Sequence, residues 1–317
     1  MGYRNSLPQL EGDMLLTDGG METTLIFLDD IDLPCFATFP LLEREDGREA
    51  MRRYFAPYFE TARSHGTGFV LEANTWRANP SWGAQLGYSL EDLAEANRRC
   101  VAFAEEIRER QEEPGRPVVI SAPLGPEGDA YNPESYLTTD QSQAFHAWQV
   151  GILAETAADL ITGLTVTYVE EAIGIVRAAT AVGMPVVISF TVETDGRLPT
   201  GQSLAEAIDQ VDRETDGVAA YFMINCAHPT HFLAVLDAPG PWHRVRGIRA
   251  NASTMSHAEL DNAEKLDDGD PADLARRYLE LGARLPDLAV LGGCCGTDHR
   301  HVASIADAWF AETRTSA

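Results

Sequence analysis

Three of the five cysteines in this 317-residue chain lie where they could bind one metal ion. Cys294 and Cys295 are adjacent in the segment LGGCCGT, and Cys226 lies in the segment INCAHP. Each segment follows a short apolar run that reads as a strand. Three converging thiolates are a ligand set that favours Zn²⁺, and a catalytic zinc keeps its fourth position open. The glycines around the cysteine pair allow the sharp turn that lets both thiols reach one ion.

Eight short apolar runs alternate with longer amphipathic segments, and the runs predict the strands of a parallel sheet. Several are β-branched, as in strands buried on both faces. The predicted strands span residues 14–17, 68–72, 118–122, 160–164, 186–191, 221–225, 245–250 and 288–292. Their number and alternation predict an α/β fold, a single (β/α)8 TIM barrel forming one domain over residues 1–317. The alternative is an open doubly wound sheet, but no G-x-G-x-x-G follows the first strand.

Amphipathic patterns between the runs predict helices that cover the barrel. Ser89 is the predicted N-cap of a helix whose apolar face carries Leu93, Asn97, Cys100, Val101 and Ala104. Another stripe begins at Val169, and Gly183 with Pro185 ends that helix. A last helix is predicted from about Asp298.

Polar residues follow several predicted strands, where the active site of such a barrel lies. The first strand leads into Asp18 and Gly19, the second into Asn74 and Thr75, and the sixth into Asn225 before Cys226. Because the carboxyl ends of the strands meet at one end of a barrel, these groups are expected to surround the three thiols.

The charge excludes two classes of partner. The formal net charge is −25 at pH 7, from 24 basic and 49 acidic residues. Neither a nucleic acid nor an anionic membrane surface fits a chain without a basic stripe. No apolar stretch reaches the roughly 18 residues of a membrane span, and no signal peptide precedes the first strand. A cytoplasmic protein without a disulfide framework is expected.

Six segments together are similar to a known family. They read LTDGGMETTL, EANTWRANP, SAPLGPEGDAY, SFTVETDGRLPTG, INCAHP and LGGCCGTDH. The chain resembles the homocysteine S-methyltransferases from about residue 15 to residue 306, and GGCCGT is the most specific motif. The resemblance implies that Cys226, Cys294 and Cys295 hold Zn²⁺ and that the homocysteine sulfur takes the fourth position.

The implied reaction is a methyl transfer. Zinc lowers the pKa of the bound thiol, and the thiolate attacks a methyl group on a small sulfonium or betaine-type donor. The partners implied are therefore a small-molecule thiol acceptor and a methyl donor, with no nucleic acid and no membrane. A homo-oligomer is compatible with the sequence.

The resemblance also implies substrate-binding positions. Asp18 matches an aspartate that helps to hold the amino-acid substrate, and Gly19 follows it. Asn74 and Thr75 match an N-T segment near the substrate, and Asn225 precedes the first zinc cysteine. Each has an alternative local role: Asp18 could cap a helix, Asn74 and Thr75 could form a capped turn, and Asn225 could orient its loop.

Two departures from the family pattern concern which thiol accepts the methyl group. Leu164 stands where the family has a glutamate that contacts the substrate's amino group, and a leucine cannot pair with an ammonium ion. Glu22 stands where the family commonly has glycine. It could supply the missing charge from another wall, or it could be an exposed first-turn acid favoured by the helix dipole. Glu193 is a further candidate, and whether free homocysteine is the acceptor stays open.

Two other functions remain open from the sequence. A zinc-dependent lyase or hydrolase would hold water at the open zinc position, with Glu22 or Glu193 as general base. A thiol- or metal-binding relative without catalysis would keep the site and lose the substrate contacts. Trp76 and Trp82 could form a wall for a cationic donor through cation–π contacts, or could simply pack.

Overall fold

The computed structural model describes residues 2–129, 136–263 and 265–315, and eight parallel strands close into one barrel within them. The strands follow one another round the ring in chain order. They are β1 (Leu15–Leu16), β2 (Gly68–Glu72), β3 (Val118–Leu124), β4 (Leu160–Val166), β5 (Val186–Phe190), β6 (Tyr221–Asn225), β7 (Val245–Ala250) and β8 (Val290–Gly293). The predicted (β/α)8 barrel is thereby confirmed.

Helices surround the barrel and also line its carboxyl end. They are α1 (Met21–Phe27), α2 (Glu45–His65), α3 (Pro80–Gln85), α4 (Leu90–Gln111), α5 (Thr139–Ala154), α6 (Val169–Ala181), α7 (Leu204–Glu214), α8 (Pro229–Phe232), α9 (His257–Asp261), α10 (Pro271–Gly282) and α11 (His299–Thr315). Short 3-10 helices span Pro8–Leu10, Pro34–Phe36, Phe39–Glu43, Leu233–Asp237 and Trp242–Arg244. None of the described helices is long and apolar enough to cross a membrane.

Strand positions agree with the apolar runs, and the differences are at the ends. β3 and β4 each continue two residues beyond the predicted strand. Pro123 and Leu124 of β3 still pair with Thr162 and Gly163, and Val166 of β4 pairs with Phe190 of β5. β1 is shorter than predicted and contains only two residues. Its Leu15 pairs with β2 on one side and with β8 on the other, which closes the ring.

The predicted helices are confirmed in position and in buried face. The Ser89 hydroxyl accepts a hydrogen bond from the Asp92 amide at 3.1 Å and caps α4, whose five predicted apolar-face residues are all buried. Helix α6 begins at Val169, and Gly183 beyond it has a φ of +70°. Helix α11 begins at His299, one residue after the predicted start.

The amino end of the barrel is filled. A core cluster inside the ring contains Leu7, Leu15, Val70, Val119, Leu160, Val187, Tyr221, Met223 and Val290. The amino-terminal segment contributes Leu7 to this cluster, and the buried Gln9 side chain donates to the Tyr221 hydroxyl at 3.2 Å. The opposite, carboxyl end carries the cavity described next.

Candidate functional site

The three predicted cysteines converge at the carboxyl end of the barrel. Cys226 follows β6, and Cys294 and Cys295 follow β8; their sulfur atoms all lie within 4.8 Å of one another. The Cys226 and Cys295 sulfurs are 3.8 Å apart. A tetrahedral zinc with Zn–S bonds of about 2.3 Å places its sulfurs about 3.8 Å apart, so the donor set fits this ion.

Local backbone geometry brings the thiols together. Cys226 has a φ of +54°, which turns the chain sharply after β6. A Cβ on Gly293 would overlap the Thr297 side chain, so this position in the turn after β8 requires glycine. The Thr297 amide and hydroxyl both donate to the Cys294 carbonyl, at 3.0 and 2.7 Å, and hold the turn closed.

A buried polar network supports the cysteines from behind. The Asn225 side-chain oxygen accepts from the Ser189 hydroxyl at 2.6 Å and from the Thr165 amide at 3.1 Å. Its amide nitrogen donates to the Thr165 hydroxyl at 2.8 Å and lies 3.9 Å from the Cys294 sulfur. His257 lies 2.6 Å from the Cys226 carbonyl. Asn225 is fully buried, which favours an orienting role over direct contact with a substrate.

The pKa of two of the three thiols, Cys294 and Cys295, is raised. Hydrogen bonding with Cys226 and burial raise the pKa of both Cys294 and Cys295 above the usual range of a thiol. Three thiolates packed this closely therefore need a positive charge between them, and a divalent metal ion supplies it.

A buried arginine organises the floor of the site. Arg249, at the end of β7, lies 2.9 Å from Asp18 and 3.4 Å from Glu72. It also donates to the Gly19 carbonyl at 3.2 Å, and the Tyr54 hydroxyl donates to Asp18 at 2.9 Å. Burial raises the pKa of Glu72 to about 7, although the Arg249 charge opposes this effect.

Arg249 and Glu72 are not among the site residues predicted from the sequence. The signal for Arg249 is a basic residue within the otherwise largely apolar run VRGIRA. The signal for Glu72 is a carboxylate at the last position of a buried strand. Charged residues are rarely fully buried unless they are paired, so the two signals together would have indicated an internal ion pair.

A cavity of about 480 Å³ opens above this floor. Of the predicted substrate residues, Asp18, Glu22 and Asn74 line it, together with Cys226 and Cys295. The remaining three lie behind its wall: Gly19, Thr75 and Asn225. The Thr75 hydroxyl donates to the Pro123 carbonyl at 2.8 Å and fixes the loop that carries Asn74.

Glu22 lies in the first turn of α1 and faces this cavity. Its side chain is half-buried, and burial raises its pKa to about 7. It is therefore part of the site, and the interpretation as an exposed helix-terminal acid does not describe its surroundings.

Leu164 and the tryptophans form another wall. Leu164 lines the cavity, and its carbonyl accepts a hydrogen bond from the Trp76 indole at 3.1 Å. The Arg77 guanidinium lies 4.1 Å from the Trp76 ring centre and 3.8 Å from that of Trp82. The cation–π contacts considered for a donor are thus made to Arg77 within the protein.

Comparison with known proteins agrees with the fold and the motifs. A sequence model of the family described as homocysteine S-methyltransferase matches residues 15–309. The chain therefore belongs to the homocysteine S-methyltransferase family, which confirms the resemblance read from its motifs.

Solved structures with the same fold include the homocysteine methyltransferase MmuM from Escherichia coli. Its oxidized form has a TM-score of 0.73 at 21% identity, covering 96% of this chain and 98% of that one. Its metallated form has a TM-score of 0.72 at 19% identity, covering 95% and 98%. Its apo form has a TM-score of 0.67 at 19% identity, covering 96% and 99%.

Proposed function

We propose that this protein is a zinc-dependent S-methyltransferase. It transfers a methyl group from a small sulfonium or betaine-type donor to the sulfur of homocysteine or a related thiol. The observation that carries the proposal is the cluster of three cysteine sulfurs within 4.8 Å of one another at the cavity. Family membership over residues 15–309 supports the same reaction.

Cys226, Cys294 and Cys295 would hold the zinc, and the acceptor sulfur would be its remaining ligand. Zinc, when bound, lowers the pKa of the acceptor thiol, so that a nucleophilic thiolate exists at neutral pH. The chain's own residues orient this site. Asn225 and His257 fix the cysteine-bearing loops, and the cavity walls align donor and acceptor for in-line attack.

Asp18, Glu22 and Asn74 are proposed to contact the substrates, because their side chains line the cavity. Gly19 and Thr75 are proposed to position them. Asn74 donates to the Thr38 hydroxyl at 3.0 Å, which holds its amide at the cavity surface. Small molecules are the proposed partners, and cytoplasmic location and homo-oligomerisation stay predictions.

Metal content and methyl transfer test the proposal. Zinc is measured by elemental analysis in the wild type and in Cys295→Ser, with Cys35→Ser as the matched control because Cys35 is outside the cluster. We expect the Cys295 variant to lose zinc and methyl transfer to homocysteine, and the Cys35 variant to keep both. Full activity of the Cys295 variant without zinc would reject the mechanism.

A further inference from the structure

Five acidic residues line the cavity: Asp18, Glu22, Glu72, Asp129 and Asp267. Asp18 and Glu72 are already paired. Asp18 accepts from Tyr54 at 2.9 Å and lies 2.9 Å from Arg249. Glu72 lies 3.4 Å from the same guanidinium. Both carboxylates therefore already have a cation of the protein as a partner.

Glu22 is different. Among the residues that the structure describes, its carboxylate has no ion pair and no side-chain hydrogen bond, and its own backbone amide is the hydrogen-bond donor near it. The Arg249 charge acts on Glu22, but this guanidinium is already paired with Asp18 and Glu72. A half-buried carboxylate without an ion pair of its own is unfavourable, because it has lost part of its hydration. A cation brought by a ligand would relieve this cost, whereas a neutral ligand would not.

The helix that carries Glu22 is fixed to the cysteine-bearing turn. The Gly20 amide donates to the Thr297 carbonyl at 2.9 Å, and the Gly296 amide donates to the Thr23 hydroxyl at 3.1 Å. These two bonds lie on either side of Glu22 in sequence. The first turn of α1, which carries Glu22, is therefore fixed relative to the turn that carries Cys294 and Cys295, beside the cluster where the acceptor sulfur is proposed to bind.

An amino-acid thiol fits this arrangement. In homocysteine, three carbon atoms separate the sulfur from the ammonium nitrogen, so one molecule can reach the thiol cluster and a neighbouring wall together. Leu164 makes its side of the cavity apolar and offers no side-chain acceptor for an ammonium group.

We propose that Glu22 binds the α-ammonium group of the acceptor thiol and so selects an amino-acid acceptor. This inference rests on the proposed function, since it requires a thiol at the cysteine cluster. It makes Glu22 a specificity-determining residue whose partner is brought by the ligand.

Calorimetric binding to the zinc-loaded protein tests the assignment without a methyl donor. L-Homocysteine and 4-mercaptobutanoate, which lacks the amino group, are each titrated into the wild type and into Glu22→Gln. We expect the substitution to weaken homocysteine binding about tenfold or more, because a charge-assisted hydrogen bond is lost. Binding of 4-mercaptobutanoate should not weaken, and Glu22→Ala should give the same selective loss.

Glu170→Gln is the matched control. Glu170 occupies the second position of α6, as Glu22 does in α1, but it is exposed and outside the cavity. It should bind both thiols as the wild type does. Unchanged homocysteine affinity in both Glu22 variants, or an equal loss for both thiols, would overturn the assignment. A loss confined to an onium donor, such as glycine betaine, would also overturn it.

The same titrations separate this inference from the proposed function. If the zinc-loaded wild type binds neither thiol, the proposed methyltransferase is rejected and the assignment of Glu22 falls with it. If the wild type binds both thiols and Glu22→Gln binds them equally well, the proposed function stands and the assignment alone is rejected.

Discussion

Replacing Arg249 by methionine should destabilise the protein strongly. Arg249 is buried between two carboxylates, at 2.9 Å from Asp18 and 3.4 Å from Glu72. Methionine removes the positive charge, so the buried carboxylates of Asp18 and Glu72 lose their counter-ion. Removing one partner of a buried ion pair typically costs about 3–5 kcal/mol, because the remaining charge is uncompensated.

That cost can be converted into a melting temperature. The entropy of unfolding is about 2.1 cal/mol/K per residue, so a 317-residue chain loses about 1.5 °C per kcal/mol. The expected decrease is therefore about 5–8 °C, measured by calorimetry on samples with equal zinc content. Arg246→Met is the matched control on the same strand, since Arg246 makes only a partly exposed pair with Asp287 at 3.9 Å. It should change stability by less than about 1 kcal/mol.

The effect of Arg249→Met should depend on pH. Burial raises the pKa of Glu72 to about 7, and Arg249 keeps it from rising further. An acid whose pKa is raised by folding stabilises the fold at low pH and loses that contribution as pH rises through the folded pKa. The variant should therefore lose more stability relative to the wild type at pH 8 than at pH 5.5.

Two outcomes would refute this reasoning about Arg249. One is a variant as stable as the wild type at pH 8, and the other is a loss that does not change with pH. A triple variant that also carries Asp18→Asn and Glu72→Gln should recover much of the lost stability, because it leaves no buried charge unpaired.

Three further substitutions test the support of the site. Gly293→Ala should weaken zinc binding in a chelator competition while the circular dichroism stays unchanged, because its Cβ would displace Thr297 and the cysteine turn. Asn225→Ala should lower the free energy of unfolding in urea by about 1–3 kcal/mol, because the Ser189 hydroxyl loses a buried partner. Burial alone would raise the pKa of Asp298, but hydrogen bonds from His301 and Arg300 hold it well below its usual value. The wild type should therefore lose stability as pH falls below about 4, and Asp298→Asn should lose less.

The barrel was predictable because its strands are buried on both faces and stand out as apolar runs. Segments such as Val186–Phe190 and Tyr221–Asn225 agree with the predicted strands to within a residue. The two-residue β1 was less predictable, since its length is set by the neighbouring strands with which it pairs.

The cysteine cluster was predictable because its residues lie in short, recognisable segments of the sequence. Adjacent cysteines among glycines indicate a metal-binding turn, and Cys226 lies at a second strand end. The network around Arg249 depends on contacts between β1, β2 and β7, which no local pattern reveals. The sequence also could not separate the residues that line the cavity from those behind it, such as Thr75 and Asn225.

The two-residue β1 gives the ring its two shortest strand pairings, one with β2 and one with β8. Only Leu15 and Leu16 form strand pairs with β8. Beyond them, the Thr17 and Gly293 amides donate to the Leu291 and Asp18 carbonyls at 2.9 and 2.8 Å, and in the turn after β8 the Gly296 amide donates to the Thr23 hydroxyl at 3.1 Å. A metal ion held by Cys226 and Cys295 would connect β6 to this same turn, and so would stabilise the ring next to the contact between β8 and β1. Loss of the metal should then appear first as faster amide hydrogen exchange along β8 and α1, before the rest of the barrel opens.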